Sequence, residues 1–190
     1  MKLLFFEQYL NYVDVVIAQT KTMKMRLTHL YKLKKIVIIP NAVSLENVNL
    51  LKKIIFNLPS GIKLLFLTHY YPHKNLEILI PLSVEIKKRG LKFKIITTVD
   101  ASQHSGAGKF INDIDKYNLE NVVYNIGKVD MNHVPYLYQQ CDALLMPTLL
   151  ESYGLPYIEA MQNRKSIFTS DYDFARDVCK SAAFAASHGE

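Results

Sequence analysis

Residues 141–161, CDALLMPTLLESYGLPYIEAM, set the expectation for the rest of the chain. The apolar run Ala143–Met146 is short enough to be a buried parallel strand, and Pro147 ends it. A polar loop with the conformationally permissive Gly154 follows. Pro156 suits the first turn of a helix, where its missing N–H costs nothing. The stretch therefore predicts a strand, a loop and a helix that begins beside this proline.

The start of that helix predicts an anion site. The backbone amides near Gly154 and Leu155 would lack helical partners, and the helix dipole favours negative charge there, so a phosphate fits. Glu151 in the loop and Glu159 about one turn into the helix flank this position. Carboxylates repel a phosphate unless they accept hydrogen bonds themselves, and sugar hydroxyls are the obvious donors. The pattern favours a ligand with both phosphate and sugar groups.

Size and composition fit one well-packed domain, with at most a fragment of a second. The chain has 190 residues, of which 49% are hydrophobic, and a net charge of +6. Basic residues crowd between positions 21 and 35, a pattern that could meet anionic lipid, nucleic acid or nucleotide but more often marks a solvated surface. Aromatic residues do not interleave with these lysines as a single-strand nucleic-acid platform requires, so no nucleic-acid partner is expected.

The cysteines and the apolar runs bear on location. Cys141 and Cys179 form neither a metal-binding spacing nor a disulfide framework, which predicts reduced structural thiols in a cytosolic protein. No apolar run approaches the ~20 residues of a membrane span. The apolar N-terminal run is broken at Glu7 and is too short for a signal peptide. We expect a cytoplasmic chain that at most touches the inner membrane face peripherally.

Apolar runs of strand length alternate with helical patterns along the chain. Strands are predicted at 14–18, 36–39, 63–67, 93–97, 122–126, 143–146, 166–169 and 182–184. Helices are predicted at 3–12, 20–31, 75–88, 109–117, 132–140, 155–163 and 173–179, with 45–57 a helix or an irregular connection and 103–108 a polar loop. Thr20 can cap the second of these helices and Asn75 the third. Alternation at βαβ spacing with apolar strands predicts an α/β fold, a doubly wound, Rossmann-like parallel sheet covered on both faces. Ligands of such sheets bind at the carboxyl ends of strands near the switch point.

Further candidate residues lie on the loops at that edge. Lys74 follows a strand, as a phosphate-binding lysine would, although a lone loop lysine is more often merely exposed, and His69 after the same strand is more often structural. Gly127–Val129 could pack beneath a nucleobase or form a plain turn. Asp171–Asp173 imitates an Asp-x-Asp metal motif but has no third ligand nearby, which favours a loop with a helix cap. Gly106–Gly108 lacks a P-loop lysine and is given no phosphate role.

Together these motifs resemble the C-terminal half of family 4 glycosyltransferases, retaining enzymes of the GT-B fold that use nucleotide-activated sugars. The resemblance covers roughly residues 14–184, and the block from Glu151 to Met161 is its specific part. The remaining matched segments occur in family order: Pro40–Val43, Pro72–Asn75, Gly127 before a helix ending in Tyr138, Ser170–Asp171 and Ala175–Val178.

The resemblance implies a role for each residue of the candidate site. Glu159 would bind the ribose hydroxyls of the nucleotide, and Glu151 would contact hydroxyls of the donor sugar. The amides of Gly154 and Leu155 would hold the diphosphate at the helix N-terminus. Lys74 would neutralise the charge that develops on the leaving nucleoside diphosphate.

Other positions are implied less directly, and two depart from the family pattern. Lys128 and Val129 would face the base, and no metal or other cofactor is expected because the lysine and the helix supply the positive charge. His69 stands where the family usually has an arginine, five residues before Lys74, so part of the diphosphate clamp is missing or weaker. Asn163–Arg164 replaces a small Ala-x-Gly segment and is expected to crowd the following strand.

Length is the largest departure, because GT-B enzymes place the active site between two domains. The resemblance implies that residues 1–13 are a remnant helix of an N-terminal acceptor domain and that 14–190 form a donor-binding domain truncated at its C-terminal end. The expected function is transfer of a sugar from a nucleotide-activated donor to a glycan or lipid-linked acceptor, with the chain inactive without that N-terminal domain. The alternatives are a non-catalytic nucleotide-sugar-binding module, a partner subunit of a split transferase, or an unrelated doubly wound domain.

Overall fold

The computed structural model of the chain describes residues 8–10, 12–33, 35–42 and 54–187. The strands are β1 (Val16–Ala18), β2 (Ile36–Ile38), β3 (Ile62–Phe66), β4 (Phe93–Thr97), β5 (Val123–Asn125), β6 (Ala143–Met146), β7 (Ser166–Ser170) and β8 (Ala183–Ala186). The helices are α1 (Lys21–Tyr31), α2 (Leu79–Lys88), α3 (Ser105–Lys116), α4 (Val134–Gln140), α5 (Leu155–Gln162) and α6 (Asp173–Cys179). The alternation expected from the sequence is therefore present.

Strands β3 to β8 form one parallel sheet in the spatial order β5-β4-β3-β6-β7-β8. From β3 the chain moves outward through β4 and β5, then returns to place β6 on the other side of β3. This reversal is the switch point of a doubly wound fold, and it lies between β3 and β6. The predicted fold class is confirmed.

The two faces of the sheet are covered by different helices. Neighbouring residues of a strand point to opposite faces, so they pack against different helices. Leu65 and Ile96 belong to a buried cluster with residues of α4, α5 and α6. Phe66 and Ile95, each one position away, belong to a second cluster with residues of α2 and α3. The strands consequently read as continuous apolar runs rather than as an alternating pattern.

Coverage of the α2 and α3 face is incomplete at β7 and β8 within the described residues. Phe168 and Phe184 stack there with ring centroids 5.4 Å apart and are 38% and 65% exposed. They line an apolar groove of about 570 Å³ that also contacts Ile78 of the turn before α2. The expectation of a sheet covered on both faces holds for the central strands and not for this edge.

Strands β1 and β2 do not join the main sheet; they pair with each other in parallel as a separate two-stranded sheet. Thr20 caps α1 by accepting a hydrogen bond from the Met23 N–H at 3.1 Å, as the sequence predicts. The N–H of Thr22 donates to Asp177 Oδ2 at 2.8 Å and so attaches α1 to α6. The expected domain boundary at residues 13 and 14 stays a prediction.

The start of α2 differs from the prediction that Asn75 caps it. Asn75 has a left-handed backbone with φ of 58° and makes no capping hydrogen bond; its Nδ2 donates instead to Pro147 O at 3.1 Å. A short 3₁₀ turn, Leu76–Ile78, precedes Leu79. The amide of Asn75 thus ties the loop after β3 to the loop after β6, a long-range contact that local capping rules do not consider.

The predicted polar loop at 103–108 is also wrong, because α3 begins at Ser105. Two glycines lower the helix propensity of this segment, which is why the pattern indicated a loop. The Cβ of any larger residue at Gly106 would lie 2.1 Å from the Tyr70 hydroxyl oxygen. This glycine therefore makes room for a neighbouring side chain inside a regular helix.

The end of α5 shows how the chain accommodates Arg164 where the family has glycine. Arg164 has a φ of 54°, and its N–H donates to Met161 O at 3.0 Å. The Lys165 N–H donates to Ala160 O at 2.9 Å, which completes a Schellman motif. The replacement thus places a non-glycine residue in the left-handed region of the helix terminus.

Two predicted segments lie largely outside the described residues. Of the predicted helix 3–12, residues 8–10 are helical and Tyr12 lies in a turn. Of the segment 45–57, residues 54–57 are irregular, and 45–53 lie outside the described part of the chain. Among the described residues, no helix is both long enough and apolar enough to cross a bilayer.

Both cysteines are buried and free, as expected for structural thiols. Burial raises the pKa of the Cys141 and Cys179 thiols to about 12. Because only the thiolate is an effective nucleophile or metal ligand, neither cysteine is poised for such chemistry near neutral pH.

Candidate functional site

The loops after β3 and β6 meet at the switch point and are joined by hydrogen bonds. The buried hydroxyl of Thr148 lies 3.0 Å from His73 O, and the Leu149 N–H donates to the same carbonyl at 2.8 Å. With the Asn75 amide on Pro147 O, these contacts bind one loop to the other. The carboxyl edge of the sheet at this point is a single hydrogen-bonded structure rather than two independent loops.

The two predicted catalytic residues form an ion pair across these loops. Lys74 Nζ contacts Glu151 Oε1, and their side chains are only 19% and 10% exposed. The Thr148 hydroxyl lies 3.2 Å from the same carboxylate oxygen. Limited exposure reduces solvent screening, so the pair is stronger than an ordinary surface ion pair. An anion that binds here shares Lys74 with this carboxylate or displaces it.

The N-terminus of α5 has the geometry that the sequence predicts. Gly154 occupies the N-cap position with φ of 77°, and no side chain caps the helix. A Cβ at Gly154 would lie 2.6 Å from Cδ2 of Tyr157, a fully buried side chain. Within the described residues the N–H groups of Gly154 and Leu155 have no acceptor, and Pro156 has no N–H to offer. The helix start therefore presents unpaired donors, a suitable anion site.

Glu159 lies one turn further along α5 in a different environment. It is half-buried, and its Oε2 accepts a hydrogen bond from the Tyr138 hydroxyl at 3.0 Å. Burial raises the pKa of Glu159, and the hydrogen bond from Tyr138 partly offsets that rise. Among the described ion pairs none includes this carboxylate. Glu159 therefore has acceptor capacity left for neutral donors such as hydroxyl groups.

A second group of predicted residues lies at the carboxyl ends of β3, β4 and β5. The ring of His69 is exposed, and its Nδ1 lies 2.6 Å from Gln103 Nε2. Hydrogen bonds from Ser102 chiefly lower the pKa of Asp100, the nearby charge of Lys128 lowers it further, and the His69 ring lies near the same carboxylate. The lysine and the histidine are thus brought to one carboxylate. The described residues contain no hydrogen bond or ion pair between this group and the Lys74–Glu151 pair.

Val129 differs from its neighbour in this second group. It is half-buried and packs against the cluster that includes residues of α4, α5 and α6. Lys128 is exposed at the same loop. Packing accounts for the valine side chain, so only the exposed part of this loop is free to contact a ligand.

Both aspartates of the Asp-x-Asp motif form ion pairs with arginines. Asp171 accepts from Arg176 at 2.6 Å, and these hydrogen bonds lower the pKa of the carboxyl. Asp173 pairs with Arg26 at 2.6 Å and accepts from the Phe174 N–H at 2.8 Å at the start of α6. Over the described ranges, no group of three or more His, Cys, Asp or Glu side chains could hold a metal ion. The helix does begin in this segment, but Tyr172 occupies its N-cap position and no side chain makes a capping hydrogen bond, so the predicted aspartate cap is wrong.

Sequence patterns missed the residues that support the two glutamates and the histidine. Tyr138 was recognised only as a helix end, yet it is the hydrogen-bond donor to Glu159. Thr148 and Gln103 carried no signal, because an isolated threonine or glutamine in a loop fits many roles. Their partners are distant in sequence and become neighbours only through the sheet order.

Similar structures support the fold. A sucrose-phosphate synthase from Thermosynechococcus elongatus superimposes with a TM-score of 0.79 at 17% identity, covering 100% of this chain and 49% of that one. A glycosyltransferase from Rickettsia africae gives 0.75 at 19% identity, covering 97% and 53%. S. aureus TarM, in a complex that contains UDP, gives 0.72 at 19% identity, covering 97% and 36%. The chain spans about half or less of the length of these proteins.

Sequence comparison identifies the family. No curated protein sequence matches the chain. The sequence model of the family described as "Glycosyl transferases group 1" matches residues 51–188, the part that contains the main sheet, the Lys74–Glu151 pair and Glu159. The resemblance noted in the sequence is confirmed by this match together with the similarity of fold. The chain belongs to the glycosyl transferases group 1 family.

Proposed function

We propose that this chain is the donor-binding half of a retaining glycosyltransferase that takes its sugar from a nucleoside diphosphate sugar. The arrangement at α5 carries the proposal. Unpaired amides at Gly154 and Leu155 lie between two carboxylates of unequal surroundings, and Lys74 is held at the same edge by Glu151. Few ligands other than a diphosphate flanked by hydroxyl-bearing groups satisfy all of these positions at once.

Each residue then has a chemical task. The helix amides bind the diphosphate, and Lys74 neutralises the charge on it as the bond to the sugar breaks. Glu159 accepts hydrogen bonds from the ribose hydroxyls, and Glu151 accepts them from the donor sugar. The proposal assigns the exposed Lys128 to the nucleobase and the exposed His69 to the diphosphate. Lysine and helix N-terminus supply positive charge, so no metal is required.

The acceptor is proposed to be a glycan or a lipid-linked glycan, bound by a separate N-terminal domain. Exposed basic side chains of α1, such as Lys21 and Lys24, suit peripheral contact with an anionic membrane surface. Two unpaired cysteines fit a cytoplasmic location. Because the chain spans only part of its structural neighbours, we propose that transfer requires the N-terminal domain.

A non-catalytic nucleotide-sugar-binding module, or a partner subunit of a split transferase, is the second candidate. The observation that favours it is His69, which stands in place of the family arginine. One of the similar structures is described as a GtfA/B complex, a two-component assembly of that other system.

Calorimetry tests donor binding directly. The chain is titrated with UDP, ADP and GDP, and with the corresponding sugar nucleotides; we expect weak binding of at least one. Glu159→Ala is expected to weaken it about tenfold or more, because a charge-assisted hydrogen bond contributes about 1.5–3 kcal/mol. Glu120→Ala, at an exposed position away from α5, is the matched control and should bind as the wild type does. Absence of binding by folded protein would contradict both candidate functions.

A transfer assay separates the two candidates. Sugar transfer from the preferred sugar nucleotide is measured for the chain alone and with an acceptor-binding domain supplied. The transferase hypothesis predicts turnover only in the second case. Binding without turnover in either case favours the non-catalytic module, and robust transfer by the chain alone contradicts the need for a second domain.

A further inference from the structure

The short 3₁₀ turn Ala101–Gln103 holds a glutamine against the ring of His69. Asp100 Oδ1 accepts hydrogen bonds from the N–H and the hydroxyl of Ser102 at 2.8 and 2.7 Å. The Gln103 N–H donates to Asp100 O at 3.2 Å. The backbone that carries the glutamine is therefore fixed by its own turn.

The orientation of the glutamine amide follows from its second partner. Gln103 Oε1 accepts a hydrogen bond from the backbone N–H of Tyr70 at 3.1 Å. A backbone N–H can only donate, so the amide oxygen must face Tyr70 and the amide nitrogen must face away from it. That nitrogen lies 2.6 Å from Nδ1 of His69.

The tautomer of His69 follows in turn. The nitrogen of a primary amide donates and does not accept, so Nδ1 of the imidazole must be the acceptor in this contact. A neutral imidazole with an acceptor at Nδ1 carries its proton at Nε2. The ring therefore presents an N–H donor on its far side, and its Nδ1 is occupied.

Tyr70 cannot easily move away and release the glutamine. Its side chain is 8% exposed, its hydroxyl donates to Glu77 Oε1 at 2.6 Å, and its ring stacks on His104 with centroids 4.9 Å apart. Gly106 lies directly under the hydroxyl, where no Cβ would fit. The chain of contacts from α3 through Tyr70 to Gln103 is thus anchored in the buried part of the domain.

We propose that Gln103 is a positioning residue that holds His69 in the neutral Nε2–H tautomer, so that His69 meets the diphosphate as a hydrogen-bond donor rather than as a cation. This inference rests on the proposed donor-binding function. In this proposal Lys74 and the α5 amides neutralise the charge of the diphosphate. His69 orients the diphosphate by donating a hydrogen bond to it. The carboxylate of Asp100 lies near the ring, and it already accepts hydrogen bonds from Ser102.

The tautomer is tested in the ligand-free protein by long-range ¹H–¹⁵N NMR of the histidine ring nitrogens. Wild type should show His69 protonated at Nε2 and unprotonated at Nδ1. Gln103→Glu keeps an oxygen for the Tyr70 N–H but removes the donor, so at pH 9, where the ring is mostly neutral even beside a carboxylate, the ring proton should move to Nδ1. A merely structural glutamine would not produce this exchange of protonated nitrogens. A wild-type ring protonated at Nδ1, or one unaffected by the substitution, would overturn the proposal.

The donor role of His69 is tested by binding of UDP, or of whichever nucleoside diphosphate the chain prefers. Near pH 9, where a histidine is mostly neutral even beside a carboxylate, Gln103→Glu should weaken binding about tenfold, because Nε2 then faces the phosphate with a lone pair. Gln139→Glu adds the same charge at an exposed position on α4 and should leave affinity unchanged. Equal affinities of the two variants would overturn the donor role of His69.

The positioning role of Gln103 and the proposed donor-binding function would fail in different ways. Binding of a nucleoside diphosphate together with the wrong tautomer overturns only the positioning role and leaves the donor site intact. Absence of binding by any nucleoside diphosphate overturns the proposed function and with it the donor role, whatever the NMR spectra show.

Discussion

The surroundings of Glu151 and Glu159 differ although both carboxylates flank the same helix start. Glu151 is paired with Lys74 and lies next to the Thr148 hydroxyl, so the chain itself neutralises it. Glu159 has one neutral donor, Tyr138, and burial raises its pKa. The Glu151 region contains a formed ion pair, whereas the Glu159 carboxylate can still accept further hydrogen bonds. Two residues that look equivalent in sequence are thereby prepared for different partners.

This difference bears on how a donor would bind. A diphosphate near Lys74 must share this cation with Glu151 or displace the carboxylate from it, so its binding perturbs the ion pair. Hydroxyl groups near Glu159 do not compete with a cation, and they add donors to a carboxylate that also accepts from Tyr138. We infer that the Glu159 region contributes affinity directly, whereas the Glu151 region couples affinity to a local rearrangement.

The largest expected effect is from Lys74→Met, which breaks the ion pair from the cation side. The Glu151 carboxylate would remain mostly buried without its counter-charge, so we expect a loss of about 3 kcal/mol in the free energy of unfolding. Urea denaturation followed by circular dichroism measures it.

The double variant Lys74→Met with Glu151→Gln supplies the control for this prediction. Removing both charges should restore a large part of the lost stability, with a coupling of about 1–3 kcal/mol in the double-mutant cycle. Strictly additive effects would show that the two side chains do not interact in solution.

The next effect concerns the glycine that separates the two regions. Gly154→Ala should cost about 2 kcal/mol, because it combines a positive φ with a Cβ 2.6 Å from the buried Tyr157 ring. Gly127→Ala is the matched control, since Gly127 has a φ of 71° but no atom within 4 Å of the added Cβ. It should cost about 1 kcal/mol, from backbone strain alone. Equal thermal shifts of the two variants would refute the packing argument.

A smaller effect is expected from Tyr138→Phe, which removes the donor to Glu159. The loss should be about 1.5 kcal/mol, the usual cost of leaving a partly buried charged acceptor without its hydrogen bond. Tyr117→Phe, at a side chain that is 47% exposed, should leave the unfolding free energy nearly unchanged. A Tyr138 variant as stable as the control would mean that water replaces the hydroxyl without cost.

The smallest effect is a change in pH dependence on Glu159→Gln. Because the pKa of Glu159 is raised above the usual value of 4.5, the folded state binds this proton more tightly than the unfolded state. Its contribution to stability therefore falls as pH rises from about 4.5 through the raised pKa. The glutamine variant lacks this term, so its stability relative to wild type should increase between pH 4 and pH 7. An unchanged difference across urea titrations at these pH values would contradict the raised pKa.

Much of the fold could be predicted because its signals are local. The bounds of β4, β6 and α6 agree with the predicted ranges, since a short apolar run flanked by polar residues permits few alternatives. The start of α5 was predicted because Pro156 restricts the backbone at its own position and Gly154 permits a positive φ just before it. The wrong prediction at 103–108 has a non-local cause. Gly106 makes room for the side chain of Tyr70, which is more than thirty residues away in sequence.

The amino-acid sequence by itself determined the order of strands and helices, the helix start between the two glutamates and the family resemblance. Only the tertiary structure decided that Lys74 contacts Glu151, that Tyr138 donates to Glu159, that Gln103 orients His69 and that β1 and β2 stand apart from the main sheet. Backbone preferences and apolar spacing act within a few residues, whereas these contacts join side chains that only the strand order brings together. The charge and protonation of the candidate site therefore depend on contacts that the tertiary structure creates, and no sequence motif predicts them.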